Sequence, residues 1–582
     1  MCGLAAFFAY DTEAPEVEPS SLMAANEAMA KRGPDGKGLW ISESGRVGLA
    51  HRRLAIIDLS EDGAQPMQSG PLHITYNGEI YNYQELKQEL EAKGVEFKTR
   101  SDTEVLLQLY RQEGAAFTER LRGMYAFAIW DEDKQGLLLG RDPFGVKPLY
   151  YLDDGKSLMV ASQVKALLAQ RRTLGLPTPS FDPAGHVGFF LFGSVPEPHT
   201  LYQGIKALEP GTTLWVGSDG EKKRRIFFDL ADRFSRPAVD EMSLADLLRD
   251  SVNHHLVSDV PVGVFLSSGL DSATLVALAA EKAGGRLDTL TLGFEEFAGT
   301  ENDEVPLAED IARSYGTRHH TVRVSGREFA ADLETLLNDM DQPSVDGVNT
   351  YFVAKAAKSV GLKVAISGLG GDELFRGYDS FSQIPKLVNA VSRVPFQCAL
   401  GRATRSATMP FSGWLLPPKA PGLLEYGGRF GDAYLLRRAL HMPWELDGIL
   451  DPDMIRDGLK ALDARRRLED CLSPVTKDLD KVAVLEMGWY MRNQLLRDAD
   501  WAGMAHSLEI RVPLVDVGLF GGTVGRGFGK QDMAATPSTK LSSRVLSRSK
   551  TGFFVPVHEW MGAGERGLRG WAQTVYRAQT AA

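Results

Sequence analysis

Apolar positions in the N-terminal third of the chain come in short runs cut by turn residues, as in "GRVGLAHRRLAIIDLS", "LHITYNGEIYN" and "MYAFAIWDEDKQGLLLGRD". Runs too short for helices and bounded by Gly, Asn and Asp predict strands. Two helical patterns interrupt them. Tyr83, Leu86 and Leu90 recur at three- and four-residue spacing after Asn82, and Ser101-Asp102-Thr103-Glu104 reads as a capping box ahead of "VLLQLY". The expected fold of this part is α+β, stacked antiparallel sheets with a few covering helices. Turn-rich segments such as "SVPEPHT", "LEPGTTL" and "SDGEKKRR" predict a connecting region at 206–240, which leaves a first domain at 1–205.

From 241 to 582 the rhythm becomes strand, loop, helix. "VGVFL" leads to "SSGLDSATLVALAAEKAGG", "TLTLGF" leads through an acidic loop to "EVPLAEDIARSYG", and "KVAIS" leads to "GLGGDELFRGY". Short continuous apolar runs, each followed by a helical pattern, predict an α/β domain with a parallel sheet covered on both faces. The stretch 420–510, including "VAVLEMGWYMRNQLL", predicts a mostly helical part.

A chain of 582 residues exceeds one hydrophobic core and suits two or more domains. Its formal charge of −11 and pI near 5.6 argue against a broad basic face, so no nucleic-acid partner is expected. No apolar stretch is long enough for a membrane helix, and Asp11, Glu13, Glu16 and Glu18 sit where a signal peptide would be basic and then apolar. A cytoplasmic protein without membrane partners is expected. Cys2, Cys398 and Cys471 are too few and too scattered for a disulfide framework or metal cluster. The last two are expected as small core residues, "KKRR" (222–225) and "RRR" (465–467) as solvated faces, and His319 and His320 as structural.

Cys2 asks for another explanation. Removal of Met1 leaves it with a free α-amino group of pKa about 8, which can take the proton of its own thiol. Around it stand "MCGLAAFF", "KRGPDG", "AHRRLAIIDLS", "YNGEIYN", "SDTEVLL" and "GRDPFGVKPLYY". In this order, and over nearly all of the first domain, they resemble the class II glutamine amidotransferases of the N-terminal-nucleophile type. The resemblance implies that Cys2 attacks the side-chain amide of glutamine and that Asn77 with Gly78 forms the oxyanion hole. It further implies that Arg53 pairs with the substrate carboxylate and that Glu79 and Asp102 hold its α-amino group. These residue types suit that chemistry, because a tetrahedral oxyanion needs preorganised donors and a free amino acid needs both an anion and a cation binder. Gln163 stands where that family is expected to carry glutamate.

"VFLSSGLDSATL" has the layout strand, small-residue loop, helix start, which offers backbone N–H groups to an anion. It resembles the pyrophosphate loop of the ATP pyrophosphatases through Ser267, Gly269, Asp271 and Ser272, with Ser268 replacing a glycine. "TLGFEE", "DQPSVDGVNTYFVAKAAK", "SGLGGDELFRGY", "MAHSLEIRVPLVD" and "SKTGFFVPVHEW" complete a resemblance to the asparagine synthetase family. It implies that Leu266, Leu292, Ser367 and Gly368 hold adenosine, that Asp271 and Asp372 place Mg²⁺, and that Lys550 stabilises charge at the α-phosphate and pyrophosphate. ATP and Mg²⁺ are therefore expected, with glutamine and a carboxylic acid as small-molecule substrates. One departure matters. Leu369 occupies a position that is usually acidic in asparagine-making relatives, so either Glu373 or another group takes the proton, or the acceptor is not aspartate. The expected activity is glutamine-dependent asparagine synthesis. The alternative is amidation of another carboxylate, such as a uronic acid of a surface polysaccharide or a natural-product precursor. A non-catalytic binding protein is disfavoured by the presence of Cys2, Asp271 and Lys550. Oligomeric state stays open, with a homodimer as one candidate.

Overall fold

Strand β1 (Gly3–Ala9) is apolar at every position rather than every second one. Leu4, Ala6 and Phe8 meet Ala126, Ala128 and Trp130 of a second sheet, whereas Ala5, Phe7 and Ala9 pack with Leu22, Ala25, Val164 and Leu167 of helices on the other side. A strand buried on both faces loses the alternation that marks a half-exposed one. The computed structural model containing it describes residues 2–236, 242–409, 417–548, 555–556, 560 and 567–580.

The first sheet runs β10 (Ile205–Ala207), β8 (Tyr150–Asp153), β9 (Ser157–Ala161), β1, β3 (Val47–Arg53), β2 (Gly36–Ile41). The second runs β12 (Lys222–Ile226), β11 (Thr212–Gly217), β7 (Gly136–Arg141), β6 (Gly123–Asp131), β5 (Leu72–Ile80), β4 (Met67–Ser69). Every pairing in both is antiparallel, so the stacked, helix-covered α+β fold is present. The stretch 206–240, expected to connect, supplies β11 and β12 and most of β10 to these sheets. The helix expected after Asn82 is there as Tyr83–Ala92, burying Tyr83, Leu86 and Leu90. The capping box at Ser101 is not formed: the Ser101 side chain accepts from Thr103 N–H, and the Glu104 carboxylate instead takes the N–H groups of Lys98 (3.0 Å) and Thr99 (2.7 Å). The incoming loop 98–99 offers Glu104 two amides in place of the single one at Ser101.

In the second domain five parallel strands run β15 (Arg318–Val324), β14 (Asp288–Phe294), β13 (Val262–Phe265), β16 (Val364–Ile366), β17 (Glu509–Arg511). Apolar clusters cover both faces: Leu290, Leu292 and Ala365 belong to one, Val264, Leu266 and Ile366 to the other. Chain order reverses at β13, which has β14 on one side and β16 on the other. The crevice beyond the carboxyl ends of strands at such a point is where open α/β sheets hold ligands.

A further cluster belongs to both domains, uniting Leu54, Tyr81, Met124, Phe144 and Phe228 with Val364, Met504, Val512, Val515 and Phe520, with Leu369 packed against it. Ion pairs reinforce the junction, among them two made by first-domain arginines. Buried Arg32 meets Asp500 at 2.7 and 3.1 Å, and Arg122 meets Asp516 at 2.8 and 2.7 Å. Among the described residues no helix is long and apolar enough to cross a membrane.

Cys398 and Cys471 are half-buried rather than core residues, each set at a helix margin. Nor is "RRR" a plain solvated face, since Arg465 pairs with Asp432 and Arg467 lies over the Trp489 ring. His319 bonds Thr289 and His320 bonds Asp288 across neighbouring strands, a structural use as expected.

Candidate active sites

Cys2 lies directly before β1, 8% exposed, with its N–H donating to Asn77 Oδ1 at 3.0 Å and Arg32 Nε donating to its carbonyl at 3.0 Å. Its Sγ lies 3.9 Å from the Leu54 carbonyl oxygen. Burial pushes the thiol pKa above its ordinary value, so a nucleophilic role would need a base at the moment of reaction. Because Asn77 turns its oxygen to Cys2, its Nδ2 is left buried without a hydrogen-bond partner among the described residues. A buried unbonded donor beside a thiol has the form that an oxyanion donor would take before substrate arrives.

Gly78 follows Asn77 on β5 and is obligatory for a steric reason. A Cβ there would lie 2.2 Å from the Met124 carbonyl oxygen and 2.6 Å from Tyr125 Cα, backbone atoms of the paired strand that cannot swing aside. Gly78→Ala is expected to shift β5 and cut glutamine hydrolysis by about 10²-fold or more, the size of losing one oxyanion donor. A glutaminase assay beside ammonia-supported synthesis in the same preparation checks it, with the latter retained.

Glu79 and Asp102 are both buried carboxylates. Burial, and then the charge of Glu509, raises Glu79 well above the carboxylate range, with Arg511 3.3 Å away opposing. Burial likewise raises Asp102 to about 6 although Ile80 N–H and Tyr76 O–H donate to it at 3.0 and 2.9 Å. An incoming ammonium would add the positive charge that Asp102 lacks and that Glu79 now has from Arg511. Arg53 ends β3, its guanidinium tied to the carbonyls of Asp58 and Ser60, the latter at 2.7 Å. It adjoins Leu54 and thereby Cys2. Gln163 is a buried helix N-cap with no side-chain cap bond.

The second site is a cavity of about 410 Å³ where β13 and β16 end. Ser267 and Ser272 close the β13 loop on itself: their hydroxyls are 2.9 Å apart, and Ser272 Oγ also takes Ser267 N–H at 3.1 Å. Ser268 is buried outside the positive-φ region, so this loop does not require glycine there. Gly368 and Gly371 of the β16 loop let it press on Asp271, since a Cβ would come within 3.0 and 2.8 Å of that side chain. The loop positions expected for ATP, including Gly269, Leu292 and Gly368, all line the cavity. The N–H groups of Leu266 and Ser367 are used inside the sheet, on Leu290 and Arg511 carbonyls at 2.8 Å each, and the Leu266 carbonyl accepts from the Thr291 hydroxyl at 2.6 Å.

Asp271 and Asp372 converge on one cation, Lys530, whose Nζ pairs with Asp271 and is 2.9 Å from Asp372. Burial would lower this lysine, but the two carboxylates outweigh it and raise its pKa. Two hard oxygen donors reaching one positive centre fit Mg²⁺, which takes few protein ligands and completes its shell with phosphate and water. Lys530, Arg548 and Tyr378 are cavity residues that sequence reasoning missed. Tyr378 closes the quoted stretch "SGLGGDELFRGY" without having been singled out, whereas Lys530 and Arg548 sit in no recognised motif, and Lys530 meets Asp271 across 259 positions of chain. Glu373 lines the cavity, accepts from Tyr378 O–H at 2.9 Å, and is raised to about 7 by burial and then by Asp372. Leu369 forms the adjacent wall. Lys550 lies outside the described residues.

Residues 1–227 match the family described as glutamine amidotransferase domain, and residues 243–582 match asparagine synthase. Asparagine synthetase [glutamine-hydrolyzing] 1 of Bacillus subtilis is 33% identical over 96% of this chain and 88% of the relative. Asparagine synthetase [glutamine-hydrolyzing] 3 of the same organism is 31% identical over 89% and 79%. Amidase chry2 of Gibberella zeae is 32% identical over 66% and 60%.

Proposed function

The chain belongs to the glutamine-hydrolysing asparagine synthetase family and is an ATP-dependent ligase that draws nitrogen from glutamine, and on that premise we propose that it amidates aspartate to asparagine. In this reading Cys2 Sγ, freed of Met1, attacks the amide carbon of glutamine while its own α-amino group takes the thiol proton and hands it to departing ammonia. The oxygen that gains charge faces Asn77 Nδ2 and Gly78 N–H. Arg53 takes the substrate carboxylate, Glu79 and Asp102 its ammonium, and water releases glutamate from the thioester.

In the other cavity a carboxylate oxygen of the acceptor attacks the α-phosphorus of ATP and pyrophosphate leaves. Ammonia then attacks the acyl adenylate and AMP leaves. Leu266, Leu292, Ser367 and Gly368 hold adenosine, Ser267, Gly269 and Ser272 the phosphates, and Lys550 the developing charge. Asp271 and Asp372 would hold Mg²⁺, which supplies counter-charge to the phosphates. Glu373 takes the proton from attacking ammonia, a role that leucine at 369 cannot fill.

The observation that carries the reading is the shared apolar cluster: Leu54, at the Cys2 thiol, and Leu369, at the ATP cavity, pack into the same water-poor core. Ammonia crossing such a region stays unprotonated and nucleophilic. Pyrophosphate release with ATP, Mg²⁺ and glutamine, measured with and without aspartate and followed by mass detection of asparagine, tests it. Aspartate-dependent release with asparagine formed is the expected result. For Glu373, the base form grows as pH rises through about 7, so ammonia-supported amide formation rises over that range. With free NH₃ held constant across the pH series, Glu373→Gln is expected to flatten this limb while pyrophosphate exchange into ATP persists; an unchanged profile removes the assignment.

A second reading, amidation of a different carboxylate such as a uronic acid or natural-product precursor, has its own support. The described cavity cations, Lys530 and Arg548, already face Asp271, Asp372 and Glu304, which leaves neither clear for the second carboxylate of aspartate, and Leu369 adds an apolar wall. Glutaminase activity without aspartate-dependent pyrophosphate release would select this reading.

A further inference from the structure

A second cavity, of about 300 Å³, lies at the domain junction between Glu197 and Phe228 of the first domain and Arg467, Trp489 and Arg492 of the second. It reaches solvent at Ile226, 55% exposed, and at Arg224, which pairs with Glu209. Trp489 and Arg492 sit on Glu486–Leu496, wound as a π-helix, a rare form that is frequent at functional sites.

Positive charge inside is in excess. The Glu197 carboxylate accepts from Arg141 at 3.0 and 2.9 Å and stands 3.4 Å from Arg497, so two guanidiniums already share it. Arg467 donates from Nη2 to the Glu197 carbonyl at 2.5 Å and lies 5.1 Å over the Trp489 ring, with Nη1 buried and unbonded. Arg492 makes no hydrogen bond and no ion pair with any described residue, and its Nε is buried as well. Arginine cannot escape burial by giving up its proton, although burial pulls both below the usual arginine range, with Glu197 opposing only in part at Arg492. Among the described residues neither arginine is ion-paired: Glu197 acts on Arg492 and Asp463 on Arg467 only from beyond ion-pair distance.

We propose that this cavity is an anion site in which one small phosphate-class oxyanion bridges Arg467 and Arg492. Guanidinium forks match the paired oxygens of such an anion better than any other side chain does. Glu197 N–H already donates to Asn493 Oδ1 at 3.0 Å and its carbonyl accepts from Arg467, so the anion completes a clamp between the two domains. Free phosphate and the phosphate of a mononucleotide share this chemistry.

Thermal unfolding of the full chain tests it, in potassium phosphate or with AMP against potassium chloride at matched ionic strength, with the ATP cavity filled by a non-hydrolysable ATP analogue. The midpoint is expected to rise by about a few degrees in the parent, as ligand linkage requires, and not in Arg492→Gln. A rise with AMP alone identifies a nucleotide as the source, and a rise with phosphate identifies the free ion. An equal rise in parent and variant, or none in the parent with either anion, overturns the proposal. Should Arg492→Gln fail to fold, tungstate soaked into crystals of the unaltered protein gives an anomalous peak between Arg467 and Arg492; a peak elsewhere only, or none, overturns it equally.

Discussion

Alanine at Cys2 is expected to lower glutamine-supported amide formation by roughly 10⁴-fold or more, the scale on which a covalent nucleophile is lost, while synthesis from ammonium salt holds near the parent rate. The split follows from geometry. The substitution deletes one sulfur whose nearest polar contact is a 3.9 Å approach to Leu54, and it leaves the Cys2 backbone bonds to Asn77 and Arg32 intact. Everything downstream of ammonia release is untouched. Glutamate production and ammonia-supported pyrophosphate release, assayed on one preparation, read the two halves separately. Persistent glutamine hydrolysis by the variant would remove Cys2 from its assigned role.

The second large effect is expected at Asp271. Asparagine there keeps the shape and removes the charge, so Lys530 loses one of its two carboxylate partners and the Mg²⁺ of the proposed mechanism would lose one of the two carboxylates assigned to it. Pyrophosphate release is expected to fall by about 10²- to 10³-fold with either nitrogen source, whereas glutaminase activity without ATP persists and certifies the fold. Normal pyrophosphate release from this variant would mean that ATP is handled elsewhere.

Much of this was legible in the chain because local physics and the fold agree. "VGVFL", "TLTLGF" and "KVAIS" are largely apolar, without strict alternation, because β13, β14 and β16 are covered on both faces, and the Tyr83, Leu86, Leu90 stripe is the buried side of its helix. Cys2 and Asn77 were legible as neighbours only through the family resemblance, since 75 positions separate them. What escaped was decided by distant partners. Glu104 has the spacing of a capping box, yet two loop amides outcompete its local target. Lys530 carries no motif, and its importance comes from carboxylates at the starts of two other helices. Arg467 belongs to a run that looks solvated, and only the placement of Trp489 and Glu197 makes it an interior residue.

The cluster that joins Leu54, Phe144 and Phe228 to Met504, Val515 and Phe520 also decides what kind of object this protein is to a genetic engineer. Family boundaries suggest two exchangeable modules, but either half cut free would present half of a core as a bare apolar patch. Such patches drive aggregation. The glutaminase half expressed alone is therefore a poor donor for chimeras, and grafting it onto another synthetase requires carrying over the facing residues of the partner half as a set.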